Sequence, residues 1–412
     1  MSTSPYQVIV FGATSFVGQI LCRYLIEQFG DPRTGTLKWA AAGRSQAKLH
    51  TLRDELGPQA AGLALIVADA ADEASLKALC AQTQVVISTV GPYALFGEPL
   101  VKVCAETGVD YCDLTGEVQW ISRMLARYEG AAQKSGARIV HCCGFDSMPS
   151  DLGVLFLQHE AQKRFGQPCT TVKMRVKAMV GAASGGTVAS LMNVVKEAAN
   201  NPALRKELAN PYSVCPPGHG FTEKQNEVGF AHFDPDFQTW ITPFIMAGIN
   251  TRIVHRSNAL AQNAYGKRFH YDEATLTGRG FKGRLIAQGV AVATVGFMAA
   301  IAVPPTRWMI DRFIPQPGEG PSVAAQEKGF YDLRFFGRTD SGQTVSTRVT
   351  GDRDPGYGST AKMLGQAGVC LVQDVAKSDC PGGFWTPATI FGQRLIARLQ
   401  ADSGLTFEVL EG

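Results

Sequence analysis

The chain has no run of like charge. Its 39 Lys and Arg face 36 Asp and Glu, for a net charge of +3, and without a dense basic block there is no electrostatic footprint for nucleic acid. Disulfide and zinc frameworks are missing as well: the ten cysteines have no paired spacing and no C-x-x-C, and Cys142 adjoins Cys143, a pattern of reduced thiols in a cytoplasm. No His/Cys/carboxylate cluster has ligand spacing, so no metal is expected. The amino terminus shows no basic leader followed by an apolar segment, so a cytoplasmic place is expected rather than export. What the chain does contain is 412 residues, 45% of them apolar, enough for two or three cored domains.

The stretch around which the rest is organised is YQVIVFGATSFVGQILCRYLIEQFG, residues 6–30. A β-branched apolar run ends at Gly12, and from Phe16 the apolar residues Phe16, Val17, Ile20, Leu21, Tyr24 and Leu25 fall three and four apart. That is a buried strand, a tight turn and a helix. The turn reads G-x-x-S-x-x-G, with Ser15 at the middle position of a dinucleotide fingerprint between Gly12 and Gly18. First-turn N–H groups and the helix dipole suit a pyrophosphate, so Gly12, Ala13, Thr14, Ser15, Phe16, Val17 and Gly18 are expected to cradle one.

A second strand ends near Ala42 and is followed by Gly43, Arg44 and Ser45. In this arrangement that strand end meets the adenosine ribose, where an acid would select NAD; a cation and a hydroxyl suit a 2′-phosphate, so NADP is expected. Asp69 ends a third strand and could touch the adenine edge or cap a helix. A fourth strand leads into Val90, Gly91 and Pro92, a small turn where the nicotinamide half should lie, and Tyr93 is the first protic side chain beyond it. Asp113, Thr115 and Glu117 follow the next strand as caps or as site residues. GFDSMPSD, residues 144–151, places Asp146 and Ser147 directly after a buried strand, which is costly unless the segment lines a cleft or caps a helix, the latter a role for Asp151.

These blocks resemble the saccharopine dehydrogenase-like oxidoreductases and, within them, the trans-acting enoyl reductase group. The resemblance rests on GATSFVG (12–18), AGRS (42–45), STVGPYALFGEPLVKVCAETGVDYCDLTGE (88–117) and CGFDSMPSDLG (143–153). It continues in DPGYGSTAKML (354–364) and GGFWTPATIFG (382–392). Ser15 departs from it, since many relatives have glycine there. The resemblance implies NADP-linked redox chemistry on lipid or polyketide chains, or on amino-acid conjugates.

The expected fold is α/β. A Rossmann-type doubly wound parallel sheet spans residues 1–148 and is completed by returning helices in 355–412; a second α+β domain, 149–354, carries a mixed, largely antiparallel sheet. In it, 170–180 alternates as a half-buried strand, 188–199 is a helix, 200–220 a long loop, 267–271 a strand, and 329–336 with 344–350 a hairpin. The segment 285–303 has only Gln288 and Thr294 as polar side chains. As a helix it would be about 28 Å long, near a bilayer's hydrocarbon thickness, with Lys282 and Arg284 before it and Arg307, Trp308 and Arg312 after. Since one span would divide the second sheet between two sides of a membrane, the segment is expected to line an acyl tunnel or to dip into a membrane surface at the inner face.

With an unsaturated acyl substrate, hydride goes to the β-carbon and the α-carbon is protonated. Tyr93 is the first choice as donor, with Asp146 and Ser147 positioning substrate or water; the Tyr-x-x-x-Lys relay of short-chain dehydrogenases occurs nowhere in the sequence. Two alternatives stand beside this. One is a saccharopine-type enzyme acting on an amino-acid C–N bond, which would need Arg175, Arg252, Arg256 or Arg268 as carboxylate clamps. The other is a non-catalytic nucleotide-sensing or lipid-binding protein. A small-molecule or acyl-chain substrate is the expected partner, with a homodimer open.

Overall fold

The computed structural model describes residues 4–181, 185–199, 201–302 and 320–411, so Arg307, Trp308 and Arg312 lie outside the described residues. Two seven-stranded sheets form the frame. In the first, β1 (Tyr6–Phe11), β2 (Trp39–Gly43), β3 (Ala64–Val67), β4 (Thr83–Ser88), β5 (Asp110–Asp113) and β6 (Arg138–Val140) run β6-β5-β4-β1-β2-β3, with β13 (Gly383–Trp385) outside β6. Every pairing in it is parallel. Val8, Ile9, Val10, Val85, Val86 and Ile87 are wholly buried, as central strands covered on both faces require. Chain order reverses between β1 and β4, which makes their carboxyl ends the crevice where such sheets bind ligands.

The helix Gly358–Gln373 returns to this sheet, packing on β1, β4, β5 and the helix Phe16–Phe29. Small residues allow the approach: a Cβ on Gly368 would fall 2.3 Å from Ile87. Below it, the buried Arg138 guanidinium donates to Asp110 and to the carbonyls of Leu371 and Val375, tying strand to returning helix.

The second sheet comprises β7 (Cys169–Val180), β8 (His232–Asp234), β9 (Thr239–Pro243), β10 (His270–Gly278), β11 (Phe330–Thr339), β12 (Thr344–Gly351) and β14 (Leu405–Leu410). Its order is β14-β12-β11-β7-β10-β9-β8, and only the β7–β10 pair is parallel. The helices Met148–Phe165 and Ala247–Leu260 lie against it and against each other.

Four expectations are corrected. The stretch 200–220 is not all loop: Pro202–Ala209 is helical, with Asn201 accepting from the Leu204 N–H and Pro202 in the first turn. Eight residues are too few for a periodic signal. The strand expected at 267–271 is His270–Gly278, shifted because the turn that holds Gly266 at φ +90° runs on through Arg268 before the ladder begins. The tail does not stay with the first sheet, since β14 pairs with β12. The apolar helix begins earlier than 285, running Gly280–Ala302.

Candidate functional site

The first βα turn has the shape of an anion cradle. Gly12 sits at φ +87°, and a Cβ there would lie 2.7 Å from both Thr89 Oγ1 and Val90 Cγ2; one on Gly18 would lie 2.2 Å from the Gly12 carbonyl. Ser15 caps the helix Phe16–Phe29 by accepting from the Gly18 N–H at 3.0 Å, and its hydroxyl meets Thr89 Oγ1 at 3.0 Å. Thr89 in turn donates to the Gly12 carbonyl at 2.9 Å. The Ala13 N–H is spent on the Ala42 carbonyl at 3.1 Å and the Ser15 N–H on the Gly12 carbonyl at 2.8 Å, so the loop is pinned from its inner side, which leaves Thr14 and the first-turn N–H groups of Phe16 and Val17 to face a ligand. Phe16 is held edge-on by Tyr357, ring centroids 4.8 Å apart, and Tyr357 accepts from the Gly185 N–H at 3.0 Å. Tyr357 is the residue that brings the late DPGYGSTAKML block to the phosphate loop, a role that spacing along the chain does not reveal.

At the adenosine end, β2 finishes at Gly43 with no acid, and Arg44 is exposed with no side-chain partner among the described residues. Ser45 caps the next helix, accepting from the Lys48 N–H at 3.4 Å, and its hydroxyl proton stays available. An unengaged guanidinium at this strand end fits a 2′-phosphate and has no purpose for a free ribose hydroxyl. Arg44→Asp should weaken NADPH by about a hundredfold and NADH by less than about threefold, measured by calorimetric titration; equal losses would count against the assignment. Asp69 is exposed and turns its own backbone, accepting from the Ala71 N–H at 2.9 Å, while the following helix is capped by Asp72.

At the carboxyl ends of β4, β5 and β6 the expected residues are brought together, with altered roles. Val90, Gly91 and Pro92 leave β4 through a cis Gly91–Pro92 bond. Tyr93 turns inward: it is 3% exposed, its hydroxyl donates to the Ser88 carbonyl at 2.9 Å, and its ring packs 5.4 Å from Trp120. Burial and the nearby Asp113 carboxylate push the phenol well above its usual range. A proton so held is poorly placed for donation, so Tyr93 is a framework residue here. Glu117 fixes the turn, its carboxylate accepting from the Tyr93 N–H at 2.7 Å, the Ala94 N–H at 3.2 Å and the Ser190 hydroxyl at 3.0 Å. Asp113 is a buried hub rather than a cap, accepting from Tyr111 Oη at 3.0 Å and the Thr115 N–H at 3.1 Å and meeting His141 Nδ1 at 2.8 Å.

Asp146 is the acid left over. Its loop is clamped on both sides: the Phe145 N–H donates to Thr360 Oγ1 at 2.9 Å, and Ser147 donates to Asn250 Oδ1 at 3.0 Å. Between those clamps the Asp146 carboxyl has no hydrogen-bond or ion-pair partner among the described residues. It lies beside Gly116, where a Cβ would fall 2.9 Å from Oδ2. Burial alone pushes its pKa up to about 7. Asn250 also donates to Glu273 at 2.8 Å, and Glu273 accepts from Tyr271 at 2.7 Å, so the loop is anchored to the second sheet through a buried polar chain. Asp151 is not a cap but a tie, accepting from Ser257 at 2.5 Å and from the Ala388 N–H at 2.8 Å.

The arginines do not converge. Arg175 is paired with Asp234 and Asp272 inside the second sheet, Arg252 holds Glu227 and the Leu208 carbonyl, Arg256 holds the carbonyls of Val214 and Phe384, and Arg268 pairs with Asp340 at the surface. Beside the turn, Leu95 and Phe96 present exposed apolar side chains.

Known proteins resemble this chain along nearly its whole length. The family profile of the saccharopine dehydrogenase NADP binding domain matches residues 8–140. A Mycobacterium tuberculosis protein provisionally named a trans-acting enoyl reductase is 38% identical over 412 residues, covering 97% of each chain. A trans-acting enoyl reductase of Mycobacterium bovis is 35% identical over 404 residues, covering 96% of this chain and 95% of its own. Among solved structures, apo saccharopine dehydrogenase (L-Glu forming) of Saccharomyces cerevisiae shares the fold at a TM-score of 0.54 and 12% identity, over 98% of this chain and 100% of that one.

Proposed function

The chain belongs to the trans-acting enoyl reductase family of the saccharopine dehydrogenase-like proteins, and on that premise we propose that it reduces a carbon–carbon double bond conjugated to the carbonyl of a lipid or polyketide acyl chain. It is an NADP-dependent oxidoreductase, its coenzyme domain the first sheet. The pinned phosphate loop and the unengaged Arg44 fit that coenzyme. When bound, NADPH supplies the hydride that goes to the β-carbon of the substrate.

The chain's own residues do the rest. The backbone N–H groups of Thr14, Phe16 and Val17 would hold the pyrophosphate, and Arg44 with Ser45 would hold the 2′-phosphate. Glu117 holds the turn at Tyr93 and Ala94 closed, and that turn would form one wall for the nicotinamide ring. Asp146, protonated below about pH 7, gives its proton to the α-carbon and takes another from water after each turnover. Ser147, spent on Asn250, positions that loop. Leu95 and Phe96 offer the substrate an apolar contact at the mouth.

The observation that carries enoyl reduction over the amine-forming alternative is the engagement of Arg175, Arg252, Arg256 and Arg268 elsewhere, so that no two of these four are free to clamp the carboxylates of an amino-acid conjugate. The test is NADPH oxidation with an α,β-unsaturated acyl thioester against a mixture of a 2-oxo acid and an amino acid. Turnover with the thioester alone is expected; turnover with the mixture alone would reverse the choice.

A further inference from the structure

The helix Gly280–Ala302 is built inside out for a soluble protein. It contains no Asp or Glu, its most apolar 18-residue window has a mean hydropathy of 1.6, and only 17% of that window is buried. It lies against β9, β10 and the helix Gly185–Ala199 through small residues, Gly283, Ala287 and Ala291, with Ile301 buried at its far end. The large side chains point the other way: Phe281 is 74% exposed and Val292 62%, and Leu285, Ile286, Val290 and Val295 are exposed beside them. A helix apolar all round is ordinarily covered. Here a cover is needed on the outward side only.

We propose that this face docks on the surface of an anionic phospholipid bilayer, the helix lying in the plane of the interface. Charge singles out that occupant. Arg279, Lys282 and Arg284 are exposed around the start of the helix, and the Arg284 guanidinium sits 5.4 Å over the Trp240 ring, a cation and an indole at one edge of an apolar face. A second copy would set that cationic edge against a helix with no acid to meet it. A single acyl guest would need the large side chains to line a cavity, and they face outward. Crossing the bilayer would strip Gly283, Ala287, Ala291 and Ile301 from the sheet that buries them, so the helix lies on the membrane rather than through it. The helix Gly185–Ala199 touches this helix and, through Ser190, Glu117. One helix therefore separates the bilayer from the mouth of the site. The inference stands on the helix alone and holds whatever the substrate.

The test is flotation of the full chain with vesicles of phosphatidylcholine and phosphatidylglycerol, against vesicles of phosphatidylcholine only. The chain should float with the anionic vesicles, with partitioning about tenfold stronger than onto the neutral ones. Val292→Asp with Val295→Asp should lower partitioning about a hundredfold, and Lys282→Gln with Arg284→Gln should abolish the anionic preference. NADPH affinity and melting temperature should not change in either double variant. The proposal is overturned if the natural chain stays at the bottom of both gradients, or if the aspartate variant floats as well as it does. It is equally overturned if the aspartates split a lipid-free dimer without altering flotation, or if only detergent, and neither salt nor alkali, releases the bound chain.

Discussion

Replacing Asp146 by Asn is expected to lower kcat by about 10²–10⁴-fold while leaving NADPH affinity unchanged, because the variant keeps the shape of the loop and loses its transferable proton. The pH profile separates this from a structural effect. A general acid with a pKa of about 7 must be protonated to act, so kcat/KM of the natural enzyme should hold steady below about pH 7 and fall about tenfold per unit above it. That alkaline limb should vanish in the variant; its persistence would assign the proton to another group. In the variant, stability should move the opposite way to activity. Burial raises the folded-state pKa of Asp146 above its unfolded value, so the folded chain binds the proton more tightly and stability is lost as pH rises from about 4 to about 7. Asparagine cannot ionise. At pH 8 the variant should be the more stable protein by about 1–2 kcal/mol in urea unfolding.

Gly12→Ala is expected to weaken NADPH binding by at least about a hundredfold, which corresponds to about 2.7 kcal/mol. Two strains meet at this residue. An alanine at φ +87° is disfavoured by about 1–2 kcal/mol, and its Cβ would press on Thr89 Oγ1, the atom that ties the Gly12 carbonyl and the Ser15 hydroxyl together. Relief requires the turn to open, which moves the N–H groups that would grip the pyrophosphate. Calorimetric titration measures the loss directly. An unchanged affinity would mean that the turn does not hold the coenzyme.

The strand, turn and helix that open the coenzyme domain were legible because their signals are local. Gly12, Ser15 and Gly18 lie within one turn, and Arg44 follows its strand directly, so spacing along the chain stands for distance in space. The nicotinamide half depends on loops from β4, β5 and β6 meeting, and there order along the chain misleads. Tyr93 is the first protic residue after its strand, but packing against Trp120 rotates its hydroxyl back to the Ser88 carbonyl. Glu117 resembles a cap for its own helix, and it instead caps the preceding turn. Asp146 stands out only through what does not touch it, which no local pattern encodes. The helix Ala247–Leu260 carries no sequence period for a related reason: Asn250, Arg252, His255, Arg256 and Asn258 are all buried, so its polar residues do not mark a solvent face. The apolar helix was visible from composition, whereas the direction its large residues face is a property of the fold.

The most direct test of the account uses NADPH carrying deuterium at its transferable position, the purified chain and an α,β-unsaturated acyl thioester, with mass spectrometry of the product. One deuterium at the β-carbon and one solvent hydrogen at the α-carbon are predicted. A thioester returned unreduced, with the deuterium still on the nicotinamide, would contradict the account.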